Sequence, residues 1–249
     1  MSMHTSTVEI TTPDGVANAY LARPDDEPHP GVLFIMDAYG LRATIEEMVE
    51  RIAADGYVVL APNVFYRAGP SPVPPMPDMS DSDSRSRFFG SLRPLMDELT
   101  PQRIAADGDA YLEFLRQAGA RGPIAITGYC MGARLGWRIA AAHPDRVAGL
   151  AGFHAGGLVT DDADSPHRSA EAISAELYFG FADQDPSMGA EQISTLERTL
   201  DEVGARYRAE VYEGAQHGYT MADTPAYNER ARERHFEELR AFLERSVAA

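Results

Sequence analysis

The chain has 249 residues, of which 44% are hydrophobic and 24% charged, an ordinary balance for a globular protein and enough length for one α/β domain with a substantial core. Its 22 Lys+Arg against 38 Asp+Glu give a net charge of -16, which argues against nonspecific binding to nucleic acid or to an anionic membrane; an anionic substrate would need a local positive site. The single cysteine excludes an internal disulfide. Residues 1–16 lack a basic start followed by an apolar core, and nowhere is there an apolar run long enough to span a bilayer. These features predict a cytoplasmic protein whose thiol stays reduced. Every basic residue among the Lys+Arg is arginine, which carries no mechanistic weight by itself.

In chain order, apolar alternation at residues 8–10 and 17–22 flanks Thr11-Thr12-Pro13-Asp14-Gly15 and predicts an N-terminal hairpin. A buried strand follows at 31–36, then a helix over about 44–54 that ends at Gly56, and a strand at 57–61 that ends at Pro62. Residues 68–84 are rich in Pro, Ser and Asp without a clear period, and read as a surface excursion beside the site, a solvated loop or a mobile lid. A helix is expected near 101–117, strands at 123–127 and 147–153, a helix at 192–203 and a charged amphipathic helix at about 227–244. Strands alternating with helices predict a single α/β domain over residues 1–249, with a mainly parallel sheet covered on both faces.

The most informative segment is Gly128-Tyr129-Cys130-Met131-Gly132, which places the lone cysteine between the strand-like run 123–127 and the helical run 133–142. A free cysteine ordinarily packs as a small hydrophobe. Here, however, GxCxG sits where a nucleophile elbow would lift Cys130 above the sheet edge and aim helix N–H groups at it. An acid follows in Gly180-Phe181-Ala182-Asp183-Gln184-Asp185-Pro186, and a histidine in Gly214-Ala215-Gln216-His217-Gly218-Tyr219. Nucleophile, acid, histidine is the α/β-hydrolase order, and loops at the carboxyl ends of parallel strands converge on one crevice.

With Phe34-Ile35-Met36-Asp37-Ala38-Tyr39-Gly40 and Ala61-Pro62-Asn63-Val64-Phe65-Tyr66-Arg67, these blocks resemble the dienelactone hydrolase family over nearly the whole chain. The resemblance implies an α/β-hydrolase fold and hydrolysis of a small ester or lactone through a thioester on Cys130. His217 would move the protons, and the family pattern selects Asp183 as the orienting acid; Asp185, two residues on, is the alternative. Backbone N–H groups of Met131 and Ala38 would form the oxyanion hole. Asp37 stands where well-known members carry a glutamate near the thiol, one methylene longer. Arg67 matches the first of two arginines that hold a substrate carboxylate in those members, while Met221 stands at the second position. Arg67 is otherwise a solvated surface arginine.

Tyr129, beside the cysteine, and His154, after the strand 147–153, join Asp37 and Arg67 as residues that bind substrate or tune the thiol; for His154 a satisfied structural histidine is an equal alternative. No cysteine pair or HExxH spacing suggests a metal, no cofactor is implied, and the expected partner is a small molecule. A different class of function also fits the residues: a catalytically silent hydrolase scaffold that binds a small molecule or uses Cys130 as a redox-responsive thiol.

Overall fold

The computed structural model describes residues 3–73 and 81–247. Among these the strands form an eight-stranded sheet in the order β1-β2-β4-β3-β5-β6-β7-β8. Strands β1 (His4–Thr12) and β2 (Gly15–Arg23) are the expected hairpin, joined at Pro13-Asp14 and paired antiparallel. β2 also runs antiparallel to β4 (Val58–Pro62). From β4 onward every pair is parallel: β3 (His29–Ile35), β5 (Ala120–Tyr129), β6 (Val147–Phe153), β7 (Glu176–Gln184) and β8 (Tyr207–Gln216). The central strands read as continuous apolar runs because both faces are covered; Val32 to Ile35 and Val58 to Ala61 are fully buried.

The helices that cover it are α1 (Ala43–Ala54), α3 (Pro101–Gln117), α4 (Met131–Ala142), α5 (Ala190–Glu202) and α6 (Glu229–Ser246). Their starts follow elementary capping chemistry. Thr100 Oγ1 accepts the Arg103 N–H ahead of Pro101, and Asn228 Oδ1 accepts the Ala231 N–H.

One helix is absent from the sequence-based expectation. α2 (Ser82–Asp97) begins inside the stretch read as an irregular excursion, with Asp81 accepting the Ser84 N–H as its N-cap. Its Ser, Asp and Arg content, Gly90 and Pro94 hide the helical period. What fixes it is tertiary: buried Phe88 and Leu92 pack inward, and the Phe88 ring stacks on Tyr39 at 5.6 Å. Of the expected excursion, residues 74–80 lie outside the described residues.

Candidate active site

The β5–α4 turn is tight, with a positive φ at Cys130 and close backbone approaches at Gly128 and Gly132. Cys130 is the N-cap of α4 with φ 55° and ψ -118°, a left-handed conformation that costs a non-glycine residue of order 1–3 kcal/mol and persists only where the surroundings enforce it. Two glycines show what enforces it. A Cβ on Gly132 would sit 2.3 Å from the Ile35 carbonyl oxygen and 2.5 Å from that of Met36, and one on Gly128 would sit 2.4 Å from the Gly132 oxygen. The start of α4 is therefore pressed against the end of β3, a packing that only glycine permits. It brings the first turn of α4 beside the loop that carries Asp37 and Ala38. The Met131 N–H, at the first position of the helix, has no intrahelical acceptor.

His217 follows β8 and reaches the thiol. Its ring interacts with the Cys130 side chain on one side, and its Nδ1 lies 2.6 Å from Asp185 Oδ2 on the other. Burial by itself would lower the pKa of this imidazole. The negative charge of Cys130 and the hydrogen bonds to Asp185 and Cys130 outweigh that and raise it to about 10. Asp185 is held in turn: its Oδ1 accepts the Ser187 N–H at 2.8 Å and the Ser187 hydroxyl at 2.6 Å. Its own pKa is lowered, burial pushing it up and the bonds to His217 and Ser187 pulling it down by more.

The acid expected from the family pattern, Asp183, is thus not the partner of His217. The β7–β8 ladder is irregular between Ala182 and Gln184. Asp183 is left exposed there, accepting the Gly214 N–H at 3.1 Å, while the chain turns at Asp185-Pro186 and carries the Asp185 carboxylate inward, its side chain only 1% exposed. The two aspartates exchange the roles expected of them.

Arg67 is also elsewhere. Its guanidinium makes a two-pronged pair with buried Asp107 of α3, at 2.8 and 3.0 Å, and its Nε donates to Asp14 at 2.8 Å. It clamps the β1–β2 turn to α3 and lines neither cavity that contains Cys130. Tyr129 is likewise outside the site. Successive residues of a strand point to opposite faces, so the residue before the nucleophile is fully buried, stacked on Phe34 at 4.6 Å with its hydroxyl 2.8 Å from His235 Nε2.

Asp37 and His154 do border the thiol, in a cavity of about 350 Å³ that also includes Tyr39 and His217. Asp37 is committed, however: Arg42 donates to its two oxygens at 2.7 and 3.1 Å, and to Asp223 at 2.6 and 3.1 Å. Arg42, which precedes α1, therefore straps the loop after β3 to the loop after His217. His154 is fully buried with φ 37°. Its Nε2 lies 2.7 Å from the Thr220 hydroxyl, its ring meets that of His217 edge-on at 5.3 Å, and burial holds it neutral, with a pKa well below the ordinary value.

Cys130 borders a second, larger cavity of about 580 Å³ with Ala38, Phe89, Arg134 and Arg138. Phe89 of α2, half exposed, lines both cavities, as Cys130 does. Phe89, Arg42 and Arg134 carry no motif that sequence reasoning could find; only the covering of Cys130 by α2 and the course of α4 bring them together.

Among known families, the dienelactone hydrolase family matches residues 17–247. This chain belongs to that family. The match accords with an elbow cysteine, a histidine after the last strand and the sheet order above, and it makes the protein an ester- and lactone-cleaving hydrolase by family. Similar curated proteins include "Putative carboxymethylenebutenolidase" of Yersinia pestis, 27% identical over 217 residues and covering 84% of this chain and 76% of the relative. Another is "Carboxymethylenebutenolidase homolog" of Mus musculus, 26% identical over 235 residues, 90% of this chain and 87% of the relative. Among solved structures, the "Putative Dienelactone Hydrolase" of Klebsiella pneumoniae superposes with a TM-score of 0.84 at 21% identity, over 97% of this chain and 98% of the other. That likeness establishes the α/β-hydrolase fold.

Proposed function

We propose that this member of the dienelactone hydrolase family cleaves a small ester, lactone or thioester by covalent catalysis, with Cys130 as nucleophile, His217 as proton carrier and Asp185 as the acid that orients it. The observation that carries the proposal is the chain of contacts from Cys130 through His217 to Asp185, with Nδ1 to carboxylate at 2.6 Å. A thiol used only as a sensor, or a silent binding scaffold, has no need of an imidazole held at both ends.

Cys130 stands beside the imidazole of His217, whose pKa is raised to about 10. Its Sγ attacks the carbonyl carbon, the C–S bond forms, and the carbonyl π pair moves to oxygen, which accepts hydrogen bonds from the N–H groups of Met131 and Ala38. Collapse expels the alcohol or thiol, protonated by His217 Nε2, and leaves a thioester. Water gives a proton back to Nε2 as it adds to the thioester carbon. The second collapse breaks the C–S bond, releases the carboxylic acid and restores the thiolate. Asp185 keeps Nδ1 protonated throughout and so fixes the tautomer that presents Nε2 to the thiol.

The test is hydrolysis of a panel comprising a dienelactone, short-chain aryl esters and an acyl thioester by the purified protein and by Cys130→Ala. Turnover by the wild type that disappears in a folded variant is expected. Activity retained in Cys130→Ala would refute the mechanism.

A further inference from the structure

The loop between β3 and α1 carries Ala38, one of the two N–H donors assigned above to the oxyanion, and a single side chain holds that loop in shape. Arg42, which precedes α1, has a side chain only 8% exposed. A guanidinium has five N–H groups, and here all five are engaged. Nη1 donates to Asp37 Oδ1 at 2.7 Å and to the Gly40 carbonyl at 3.0 Å. Nη2 donates to Asp37 Oδ2 and to Asp223 Oδ1, both at 3.1 Å, and Nε donates to Asp223 Oδ2 at 2.6 Å. With no donor left over, Arg42 has nothing to offer a substrate; whatever it does for the reaction passes through the two loops it joins. Its backbone is anchored, since its carbonyl accepts the Ile45 and Glu46 N–H groups at 2.8 and 3.0 Å in the first turn of α1.

The Tyr39 N–H donates to Asp37 Oδ1 at 3.1 Å and the Gly40 N–H to the Asp37 carbonyl at 3.2 Å. The Ala38 peptide therefore sits in a tight turn whose side-chain anchor, Asp37, is 2% exposed. Burial pushes the Asp37 carboxyl up in pKa and the Arg42 cation opposes the rise. Among the described residues the Ala38 N–H donates to no backbone acceptor, and Ala38 borders the larger cavity together with Cys130. The second loop follows His217 and lines the smaller cavity through Gly218, Thr224, Pro225 and Ala226, on either side of Asp223.

We infer that Arg42 is a positioning residue for the reaction: it holds the Ala38 N–H where negative charge develops on the carbonyl oxygen and keeps that donor in register with the loop that follows His217. The inference rests on the Cys130 mechanism above. A loosened loop still admits substrate but stabilises the oxyanion less. Because an oxyanion forms both when the thioester is made and when it is hydrolysed, the loss falls on kcat.

The experiment compares the wild type, Arg42→Gln, Arg42→Lys and Asp223→Ala in three measurements: steady-state hydrolysis of phenyl acetate, alkylation of Cys130 by iodoacetamide on its high-pH plateau, and inhibition by an aryl trifluoromethyl ketone. The ketone forms a C–S bond with Cys130 while its π pair moves to oxygen, so it needs the oxyanion donors. Alkylation displaces iodide and does not. Arg42→Gln is expected to lose about 10–100-fold in kcat and a similar factor in ketone affinity, with KM and the alkylation rate within about threefold of the wild type. Arg42→Lys keeps the charge without the planar fork and should recover part of the loss. Asp223→Ala cuts only the end of the strap whose carboxylate side chain is 30% exposed and leaves Asp37 paired; a fall of about 3–10-fold in kcat is expected, and this variant serves as the test if Arg42→Gln does not fold. Parallel loss of hydrolysis and alkylation, a loss confined to KM, or a wild-type kcat in Arg42→Gln, or in Asp223→Ala where that variant alone folds, overturns the positioning role and leaves the Cys130 mechanism intact. A wild type that hydrolyses the ester yet forms no ketone adduct at Cys130 refutes the mechanism, and the role of Arg42 with it.

Discussion

Replacement of Asp185 by Asn, set beside the same change at Asp183, decides which carboxylate serves His217. Asp185 Oδ2 lies 2.6 Å from Nδ1, with its side chain 1% exposed, so the bond is charge-assisted and shielded from water. Such a bond contributes about 1.5–3 kcal/mol, or roughly 10–150-fold in the stability of the imidazolium. Asn can also offer its NH₂ to Nδ1 and so favour the wrong tautomer, a fault that lowers kcat by about 10⁴-fold in a serine triad. A fall in kcat of about 10²–10⁴-fold is therefore expected for Asp185→Asn. Asp183 makes one exposed bond to the Gly214 N–H at 3.1 Å, which an amide oxygen can replace, so Asp183→Asn should stay within about threefold. The assay is steady-state hydrolysis of an aryl ester, with the His217 titration followed by NMR. The imidazole pKa, held at about 10, should fall toward its ordinary value in Asp185→Asn and remain raised in Asp183→Asn. A larger loss in Asp183→Asn than in Asp185→Asn would refute the assignment.

Arg67→Gln should act on stability rather than on substrate binding, because it leaves the fully buried Asp107 carboxylate without its cation; a loss of about 3–5 kcal/mol in unfolding free energy is expected. Chemical denaturation measures this, and an unchanged midpoint together with a raised KM for acidic esters alone would return Arg67 to the site. His235 predicts the acid response. Burial lowers its pKa to about 3, with the Arg232 carbonyl bond partly opposing, so between there and about 6.5 the unfolded chain binds a proton that the folded chain does not, and stability falls as pH falls through that window. Between pH 7 and pH 4.5 the loss from this group is roughly 2–3 kcal/mol. His235→Gln should flatten that part of the stability profile, and an equally steep profile in the variant would count against the buried neutral imidazole.

The residues alone determined the local parts of this protein. GxCxG fixed a strand-to-helix turn because only glycine tolerates the Gly132 approach to the β3 carbonyls. Apolar runs identified the parallel strands, and the chain order of cysteine, acid and histidine placed all three at one sheet edge. Tertiary structure decided whatever depended on a difference of one or two residues or on a distant partner. Asp183 and Asp185 are alike in sequence, and only the fold distinguishes them: the β7–β8 ladder is irregular between Ala182 and Gln184, and Asp185 is held by Ser187 and His217. Arg67 fits a carboxylate-binding pattern, yet Asp107, 40 residues later in the chain, claims it. Helix α2 has weak local signals and is set by Phe88 and Leu92 packing inward. The physical reason is common to all three: backbone propensity acts over a few residues, whereas the competition of charged groups for partners is settled only once the core has brought distant segments within a few ångströms.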